Sequence, residues 1–199
     1  MVKIKICGLS RLCDIEAVNE SKPEYIGFVF AESRRRVAYE QAEKLRTKLS
    51  PDIIPVGVFV NETPANIISL VRCGIISAIQ LHGDENEAYI ESIKKLTDKP
   101  IIKAVSLLKP GDAQTWVDTN ADYLLLDNKG GGTGQSFDWD LIGVIKKPFF
   151  LAGGLNIQNI KSAILKTNPF AVDISSGVET DGIKDREKII SIIRGIRNE

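Results

Sequence analysis

A cysteine and an aspartate close two apolar runs that lie far apart in the chain. Cys7 ends the run Val2–Cys7 and is followed at once by Gly8, and Asp127 ends the run Tyr123–Asp127. A thiolate can remove a proton, and a protonated carboxyl can donate one. If both runs are strands of one parallel sheet, the two side chains lie at the same edge of that sheet. We therefore predict that Cys7 is a general base and Asp127 a general acid for one substrate.

The elements that must position these residues are short apolar runs alternating with stretches of helical periodicity. The predicted strands are Val2–Cys7, Tyr25–Phe30, Ile54–Val60, Ala78–Leu81, Ile101–Val105, Tyr123–Asp127, Phe149–Ala152 and Ala171–Ser175. The predicted helices include Tyr39–Leu49, Pro64–Cys73, Glu85–Leu96, Ile157–Lys166 and Lys184–Arg197, with a short stretch at Asp112–Thr119. Strands alternating with helices indicate βαβ units and a parallel sheet.

Two α/β architectures fit this alternation, a (β/α)₈ TIM barrel and a doubly wound open sheet. Eight strands, with no early G-x-G-x-x-G motif, favour the barrel. A chain of 199 residues can bury one good core. We predict a single-domain (β/α)₈ TIM barrel over residues 1–199. Its catalytic face then lies at the carboxyl ends of the strands.

Composition narrows the class of protein. Lysine plus arginine and aspartate plus glutamate both number 26, so a basic excess typical of nucleic-acid binders is missing. No apolar run reaches the length of a membrane span, and the first residues carry no cleavage signature. Three cysteines at unrelated spacings suggest neither a disulfide framework nor a zinc site. We expect a cytoplasmic protein, a monomer or homodimer, without metal, nucleic-acid or membrane partners.

Small residues follow the last two predicted strands. Gly153 and Gly154 come after the seventh strand, with Asn156 as the expected N-cap of the next helix, and Ser175 and Ser176 end the eighth. Loops at these two places commonly form the phosphate site of such barrels. Backbone N–H groups there can bind an anion, and a helix N-terminus adds a favourable dipole. We predict that these two loops bind a phosphate group of the substrate.

Strand parity places a lysine beneath Cys7. Side chains alternate along a strand, so Lys5 shares the face of Cys7 one layer deeper. A buried lysine needs a partner, and Asp173 has the matching parity on the strand that closes the barrel. We predict an internal ion pair between Lys5 and Asp173. Because a nearby cation lowers the pKa of a thiol, we also expect Lys5 to favour the thiolate of Cys7.

Three further segments at strand ends carry polar or flexible residues. The run Arg34–Arg36 follows the second strand, where at least one guanidinium could bind a substrate carboxylate with two parallel hydrogen bonds. Gln80 and His82 follow the fourth strand and are expected to support the site. The glycine-rich run Gly130–Gly134 is expected to fold over the ligand.

These residues lie in segments that resemble the phosphoribosylanthranilate isomerase family of the tryptophan pathway. The resemblance runs through nearly the whole chain, and the order of the segments at strand ends makes it specific. The segments are Lys5–Gly8, Gly27–Phe30, Val56–Val60, Gln80–Gly83, Leu125–Asp127, Gly131–Gly134, Phe137–Trp139, Ala152–Leu155, Asp173–Glu179 and Gly182–Asp185.

The resemblance implies a cofactor-independent Amadori rearrangement of a phosphosugar. N-(5-phosphoribosyl)anthranilate would become 1-(2-carboxyphenylamino)-1-deoxyribulose 5-phosphate. Asp127 would protonate the furanose ring oxygen and open the ring to an iminium, and Cys7 would remove the proton from C2. The family commonly reads Ser-Pro-Arg where this chain has Ser33-Arg34-Arg35, and that register assigns the substrate carboxylate to Arg35.

Two alternatives remain at this stage. The related aminoaldose isomerase of the histidine pathway performs the same chemistry on a bisphosphorylated substrate, with a carboxylate at the end of the first strand and two similar half-barrels. Cys7 and the single pair of phosphate loops disfavour it. A barrel that binds a phosphate ligand without catalysis would lack the acid or the base, whereas both Cys7 and Asp127 are present.

Overall fold

Eight parallel strands close into a barrel in the computed structural model, which describes residues 1–128 and 138–197. The strands follow chain order around the barrel: β1 (Lys3–Cys7), β2 (Tyr25–Val29), β3 (Ile54–Phe59), β4 (Ala78–Leu81), β5 (Ile101–Ser106), β6 (Tyr123–Asp127), β7 (Phe149–Leu151) and β8 (Ala171–Ile174). The pairing of β1 with β8 closes the ring. The predicted barrel is therefore confirmed, and an open sheet is excluded.

The helices of the described residues lie between the barrel strands and after the last of them. They are α1 (Leu12–Ser21), α2 (Tyr39–Arg46), α3 (Pro64–Arg72), α4 (Glu87–Lys94), α5 (Ile160–Thr167) and α6 (Arg186–Arg197). Short 3₁₀ turns span Ala113–Trp116, Trp139–Ile142 and Ser176–Val178. The predicted helix Asp112–Thr119 is shorter than expected, because only the 3₁₀ turn Ala113–Trp116 forms there. The predicted run Gly130–Gly134 lies outside the described residues.

Helix boundaries follow local capping chemistry. The Thr63 hydroxyl accepts a hydrogen bond from the backbone N–H of Asn66, and Pro64 occupies the first turn of α3. The last helix is strongly amphipathic and begins two residues after the predicted start at Lys184. Its buried face consists of Ile189, Ile190, Ile192, Ile193 and Ile196. Packing of this apolar face against the barrel holds the end of the chain in place.

The barrel interior is apolar below and polar above. Its lower part is filled by side chains that point inward from every strand but β1, namely Tyr25, Val56, Ala78, Ile102, Leu125, Phe150 and Ala171. Tyr25 and Phe150 meet edge to face with ring centroids 5.4 Å apart. Closer to the carboxyl ends lie the buried polar side chains of Lys5 and Gln80. The packed floor therefore supports a polar mouth.

A two-stranded hairpin follows the barrel and was not predicted from the sequence. It consists of β9 (Glu179–Thr180) and β10 (Ile183–Lys184), with Glu179 directly opposite Lys184. Asp181 and Gly182 connect the strands with φ angles of 52° and 77°. Two successive residues with positive φ are typical of the tight turns that suit the twist of a hairpin.

Candidate active site

The carboxyl ends of the barrel strands surround a cavity of about 280 Å³. All predicted site residues except Lys5 line it: Cys7, Arg35, Gln80, His82, Asp127, Gly153, Gly154, Asp173, Ser175 and Ser176. Lys5 lies one inward-facing position deeper on β1 and is fully buried. The fold thus brings together residues from both ends of the chain at the face where barrel enzymes carry their catalytic groups.

The ion pair predicted beneath the cavity is present. Lys5 and Asp173 are register partners on β1 and β8, and Lys5 Nζ lies 2.9 Å from Asp173 Oδ1. Burial lowers the pKa of Lys5, but Asp173 and Cys7 together hold it above its ordinary value. Lys5 is therefore a permanent cation in the floor of the cavity.

Cys7 is a free, buried thiol packed against the second strand. A Cβ atom on Gly27 would lie 2.6 Å from its Sγ, so only glycine leaves room for the thiol at this position. Burial raises the pKa of the Cys7 thiol. The cations of Lys5 and Lys184 lower this pKa, and the negative charge of Asp173 raises it further. The net direction is upward, so the expectation of a lowered pKa was wrong. Lys5 acts in the expected direction, but desolvation of the thiolate outweighs it.

Asp127 is a buried carboxyl at the end of β6. Burial raises its pKa to about 6, and the negative charge of Asp173 acts in the same direction. The backbone N–H of Asn128, 2.8 Å from Asp127 Oδ1, and the cation of Lys5 oppose the shift. At pH 7 about a tenth of a carboxyl with this pKa is protonated, far more than for an ordinary aspartate, and a general acid must be protonated to act.

His82 and Gln80 extend from Asp127 into the barrel. The amide Nε2 of Gln80 lies 2.8 Å from His82 Nδ1, so with the amide as the donor the ring proton of neutral His82 is on Nε2. That nitrogen lies 3.8 Å from Asp127 Oδ2. Burial lowers the pKa of His82, and Lys5 and Lys103 act in the same direction. His82 is therefore neutral near pH 7 and presents an N–H group towards the carboxyl.

The three consecutive arginines have different surroundings. Arg35 lines the cavity, and its side chain is 14% exposed. Arg34 and Arg36 have side chains that are more than half exposed, and Arg36 pairs with Glu32 on the surface. Of the three arginines, Arg35 is therefore the one that lines the cavity.

Two charged residues of the site were missed by sequence reasoning. Glu179 accepts hydrogen bonds from Arg35 Nε at 2.6 Å and from Arg35 Nη2 at 2.9 Å. Lys184 Nζ lies 2.5 Å from Glu179 Oε1 and donates to the carbonyl of Ser175 at 2.9 Å. Both lie in segments that carried the family resemblance, but no strand alternation marks so short a hairpin.

The loops after β7 and β8 touch each other at the cavity wall. A Cβ atom on Gly177 would lie only 1.9 Å from the carbonyl oxygen of Leu155. Gly153 and Gly154 have φ angles of 83° and 63°, which glycine adopts without strain. Ser175 Oγ donates to the carbonyl of Cys7 at 3.0 Å. The two loops therefore form one joined wall beside Cys7.

Asn156 caps a helical turn that precedes α5, since its carbonyl oxygen accepts a hydrogen bond from the N–H of Ile160 at 3.0 Å. Its side-chain oxygen accepts hydrogen bonds from the N–H groups of Gln158 and Asn159 at 2.9 and 3.3 Å. The helix α5 begins only at Ile160, after Asn159. Asn159 in turn accepts a hydrogen bond from the N–H of Asn156 at 2.9 Å, so the predicted capping contacts are present although the continuous helix starts three residues later than predicted.

In residues 1–128 and 138–197, no group of three or more histidine, cysteine, aspartate or glutamate side chains is arranged to hold a metal ion. Among the same residues, no helix is long and apolar enough to cross a membrane.

Comparisons of the sequence and of the structure with known proteins lead to the same family. The family model described as N-(5'-phosphoribosyl)anthranilate (PRA) isomerase matches residues 4–195. A protein of Endomicrobium trichonymphae named N-(5'-phosphoribosyl)anthranilate isomerase is 46% identical over the full length of both chains. Two solved structures of phosphoribosyl anthranilate isomerases also cover the full length of both chains.

These two structures bear on the site and on assembly. One is phosphoribosyl anthranilate isomerase in complex with reduced 1-(o-carboxyphenylamino)-1-deoxyribulose 5-phosphate, 36% identical with a TM-score of 0.88 and full coverage of both chains. The other describes monomers made from the dimeric enzyme of Thermotoga maritima, also 36% identical, with a TM-score of 0.87 and full coverage. The barrel, the joined loops and these matches together show that the chain belongs to the family of N-(5'-phosphoribosyl)anthranilate isomerases.

Proposed function

We propose that this protein converts N-(5-phosphoribosyl)anthranilate into 1-(2-carboxyphenylamino)-1-deoxyribulose 5-phosphate, with residues 1–199 as one catalytic domain. The observation that carries the proposal is that Cys7 and Asp127 line the same cavity as the joined loops after β7 and β8. A base and an acid then face a sugar whose phosphate is held at a fixed place. Family membership supports this substrate in particular.

Substrate binding rests on two anionic groups at its two ends. The phosphate is assigned to the wall formed by Gly153, Gly154, Ser175 and Ser176, which offers backbone N–H groups and the hydroxyl of Ser176. The anthranilate carboxylate is assigned to Arg35, whose guanidinium suits two parallel hydrogen bonds to a carboxylate. Anchoring both ends fixes the ribose between the two catalytic groups, and such positioning lowers the entropic part of the barrier.

In the first step, Asp127 donates a proton to the furanose ring oxygen. The C1–O bond breaks, and the nitrogen lone pair forms the iminium. The protonated form required for this step is favoured by burial, which raises the pKa of Asp127 to about 6. His82 supports the step, since its neutral ring directs an N–H group towards the carboxylate that remains.

In the second step, the thiolate of Cys7 removes the proton from C2. The electron pair of the C–H bond forms the enolamine and neutralises the iminium, and tautomerisation then gives the ketone. Burial raises the pKa of Cys7 while Asp127 titrates near 6, so the active form needs the weaker acid ionised and the stronger acid protonated. Only a small fraction of free enzyme has this arrangement. When the cationic iminium forms beside Cys7, its positive charge favours the thiolate, so the ionised fraction of Cys7 increases during turnover.

Catalytic roles are tested by following the fluorescence of the anthranilate substrate as it is consumed. We expect Cys7→Ala and Asp127→Asn each to lower kcat by about a hundredfold or more, the usual range for loss of a general acid or base. Cys73→Ala and Asp98→Asn are matched controls, because both residues are exposed and lie outside the cavity. Full turnover by either site variant contradicts its role. Preferred turnover of a bisphosphorylated aminoaldose by the wild type points to the histidine-pathway alternative.

Two further predictions concern the cellular location and the assembly state of the protein. A reducing, cytoplasmic location is consistent with the three free cysteines. The assembly, monomer or homodimer, is open to measurement by analytical ultracentrifugation.

A further inference from the structure

One carboxylate near the cavity mouth gathers three cations. Glu179 Oε2 accepts from Arg34 Nη2 at 2.7 Å and from Arg35 Nη2 at 2.9 Å, and Lys184 Nζ lies 2.5 Å from Oε1. Glu179 and Lys184 are both buried, with side chains 4% and 3% exposed. Three cations around one anion leave a surplus of two positive charges in this cluster.

The contact between Arg35 and Glu179 uses a defined edge of the guanidinium. Glu179 accepts from Nε and Nη2, which form the side edge of the group. No hydrogen bond from Arg35 Nη1 is found within residues 1–128 and 138–197, so the end edge formed by Nη1 and Nη2 stays available to a second carboxylate. An arginine has five N–H donors in a fixed plane, so holding one edge fixes the direction of the other.

The arginine is held from a second side by the backbone of β1 and its loop. A Cβ atom on Gly8 would lie 2.5 Å from Arg35 Cδ, so the aliphatic part of Arg35 lies directly on this glycine. Gly8 also has a φ angle of 85°, which a larger residue rarely adopts. Backbone on one face and a carboxylate on one edge leave the guanidinium little freedom.

The hairpin that carries Glu179 is itself tied to the catalytic strands. Lys184 donates to the carbonyl of Ser175 at 2.9 Å, and the hydroxyl of Ser175 donates to the carbonyl of Cys7 at 3.0 Å. The N–H of Asp185 donates to the carbonyl of Val178 at 2.9 Å. The position of Glu179 is therefore coupled to the end of β8 and to β1.

From these contacts we infer that Glu179 is a positioning residue, which directs the free edge of Arg35 at the carboxylate of the aromatic half of the substrate. The inference rests on the proposed role of Arg35. Arg34 and Lys184 offset the negative charge of Glu179, so that it orients Arg35 without repelling the substrate. Selection of aminoaldoses with a carboxylated aromatic ring is then a property of the hairpin as well as of Arg35.

The test compares two stable ligands by calorimetry. One is reduced 1-(2-carboxyphenylamino)-1-deoxyribulose 5-phosphate, and the other is its phenyl counterpart without the carboxylate. Glu179→Gln keeps the size of the side chain but removes the charge and one acceptor. We expect the Kd of the carboxylated ligand to rise about tenfold, as for loss of a charge-assisted hydrogen bond, with the Kd of the phenyl ligand unchanged.

Controls separate positioning from folding and from the role of Arg35. Asp181→Asn removes an exposed carboxylate from the same hairpin and leaves both Kd values unchanged. Glu179→Asp keeps the charge near Lys184 but shortens the reach to Arg35, so it produces the same selective loss if Glu179→Gln does not fold. Equal losses for both ligands, or no loss, overturn the inference. Equal Kd values for the two ligands in the wild type instead refute the role of Arg35.

Discussion

Ionisation of single residues sets both chemistry and stability at this site. Asp127 and Cys7 are both pushed towards their neutral forms because each is buried. The position of each group could be predicted from strand ends in the sequence, and strand parity also predicted the pair of Lys5 with Asp173. The direction of the Cys7 pKa could not be predicted, since burial by neighbouring strands outweighs the nearby lysine and is a property of the closed barrel.

The raised pKa of Asp127 predicts how the free energy of unfolding depends on pH. The folded protein raises this pKa from 3.8 to about 6, so folding favours the protonated carboxyl. Its contribution is fully present below about pH 4 and is lost as the pH rises through 6. We expect Asp127→Asn to be more stable than the wild type at pH 7 by on the order of 3 kcal/mol, with the difference vanishing near pH 4.

Urea unfolding of the wild type and Asp127→Asn across this pH range measures the effect. Asp98→Asn, at an exposed position, serves as the matched control and shows no comparable gain. A variant at Asp127 that is less stable than the wild type at pH 7 is incompatible with a raised pKa. The expected combination of higher stability and lower activity is typical of a residue kept for chemistry.

Elements differ in how far their sequences determine them. Barrel strands such as β4 match their predicted limits, because a short run that is buried on both faces of a parallel sheet stands out from the polar residues that flank it. The continuous helix α5 begins three residues later than predicted, although Asn156 caps the turn before it, and ends of helices are the least regular part of the pattern. The hairpin of β9 and β10 has no periodic signal, and its partner Arg35 is distant in the chain, so only the folded structure reveals it.

The joined wall of the loops after β7 and β8 is testable through one glycine. A side chain at Gly177 would collide with the carbonyl of Leu155, so Gly177→Ala must move the two loops apart. Loss of a charge-assisted hydrogen bond from the phosphate then weakens substrate binding, and we expect KM to rise about tenfold or more. Steady-state kinetics with Gly195→Ala as control measures this, because that glycine lies in α6 and a Cβ atom there would meet only the terminal methyl group of the exposed Ile157, at 3.3 Å. An unchanged KM for Gly177→Ala argues against phosphate binding at this wall.

At the scale of the whole molecule, the first and last barrel strands are joined inside the cavity floor by an ion pair. Lys5 and Asp173 lie 2.9 Å apart, with side chains 0% and 8% exposed. Removing one partner leaves a buried charge without compensation, which commonly costs about 3–5 kcal/mol. We therefore expect Lys5→Met to lower the free energy of unfolding of the whole barrel by about that amount in urea titrations.

A surface ion pair with the same distance serves as a control for the effect of burial. Lys94 and Asp122 are also 2.9 Å apart, but their side chains are 35% and 38% exposed, so Lys94→Met is expected to cost less than about 1 kcal/mol. The double variant Lys5→Met with Asp173→Asn removes both charges and should recover most of the loss. Equal losses of unfolding free energy in Lys5→Met and Lys94→Met contradict this role of the ion pair between Lys5 and Asp173. Recovery in the double variant without recovery of turnover assigns the pair to both closure of the barrel and support of Cys7.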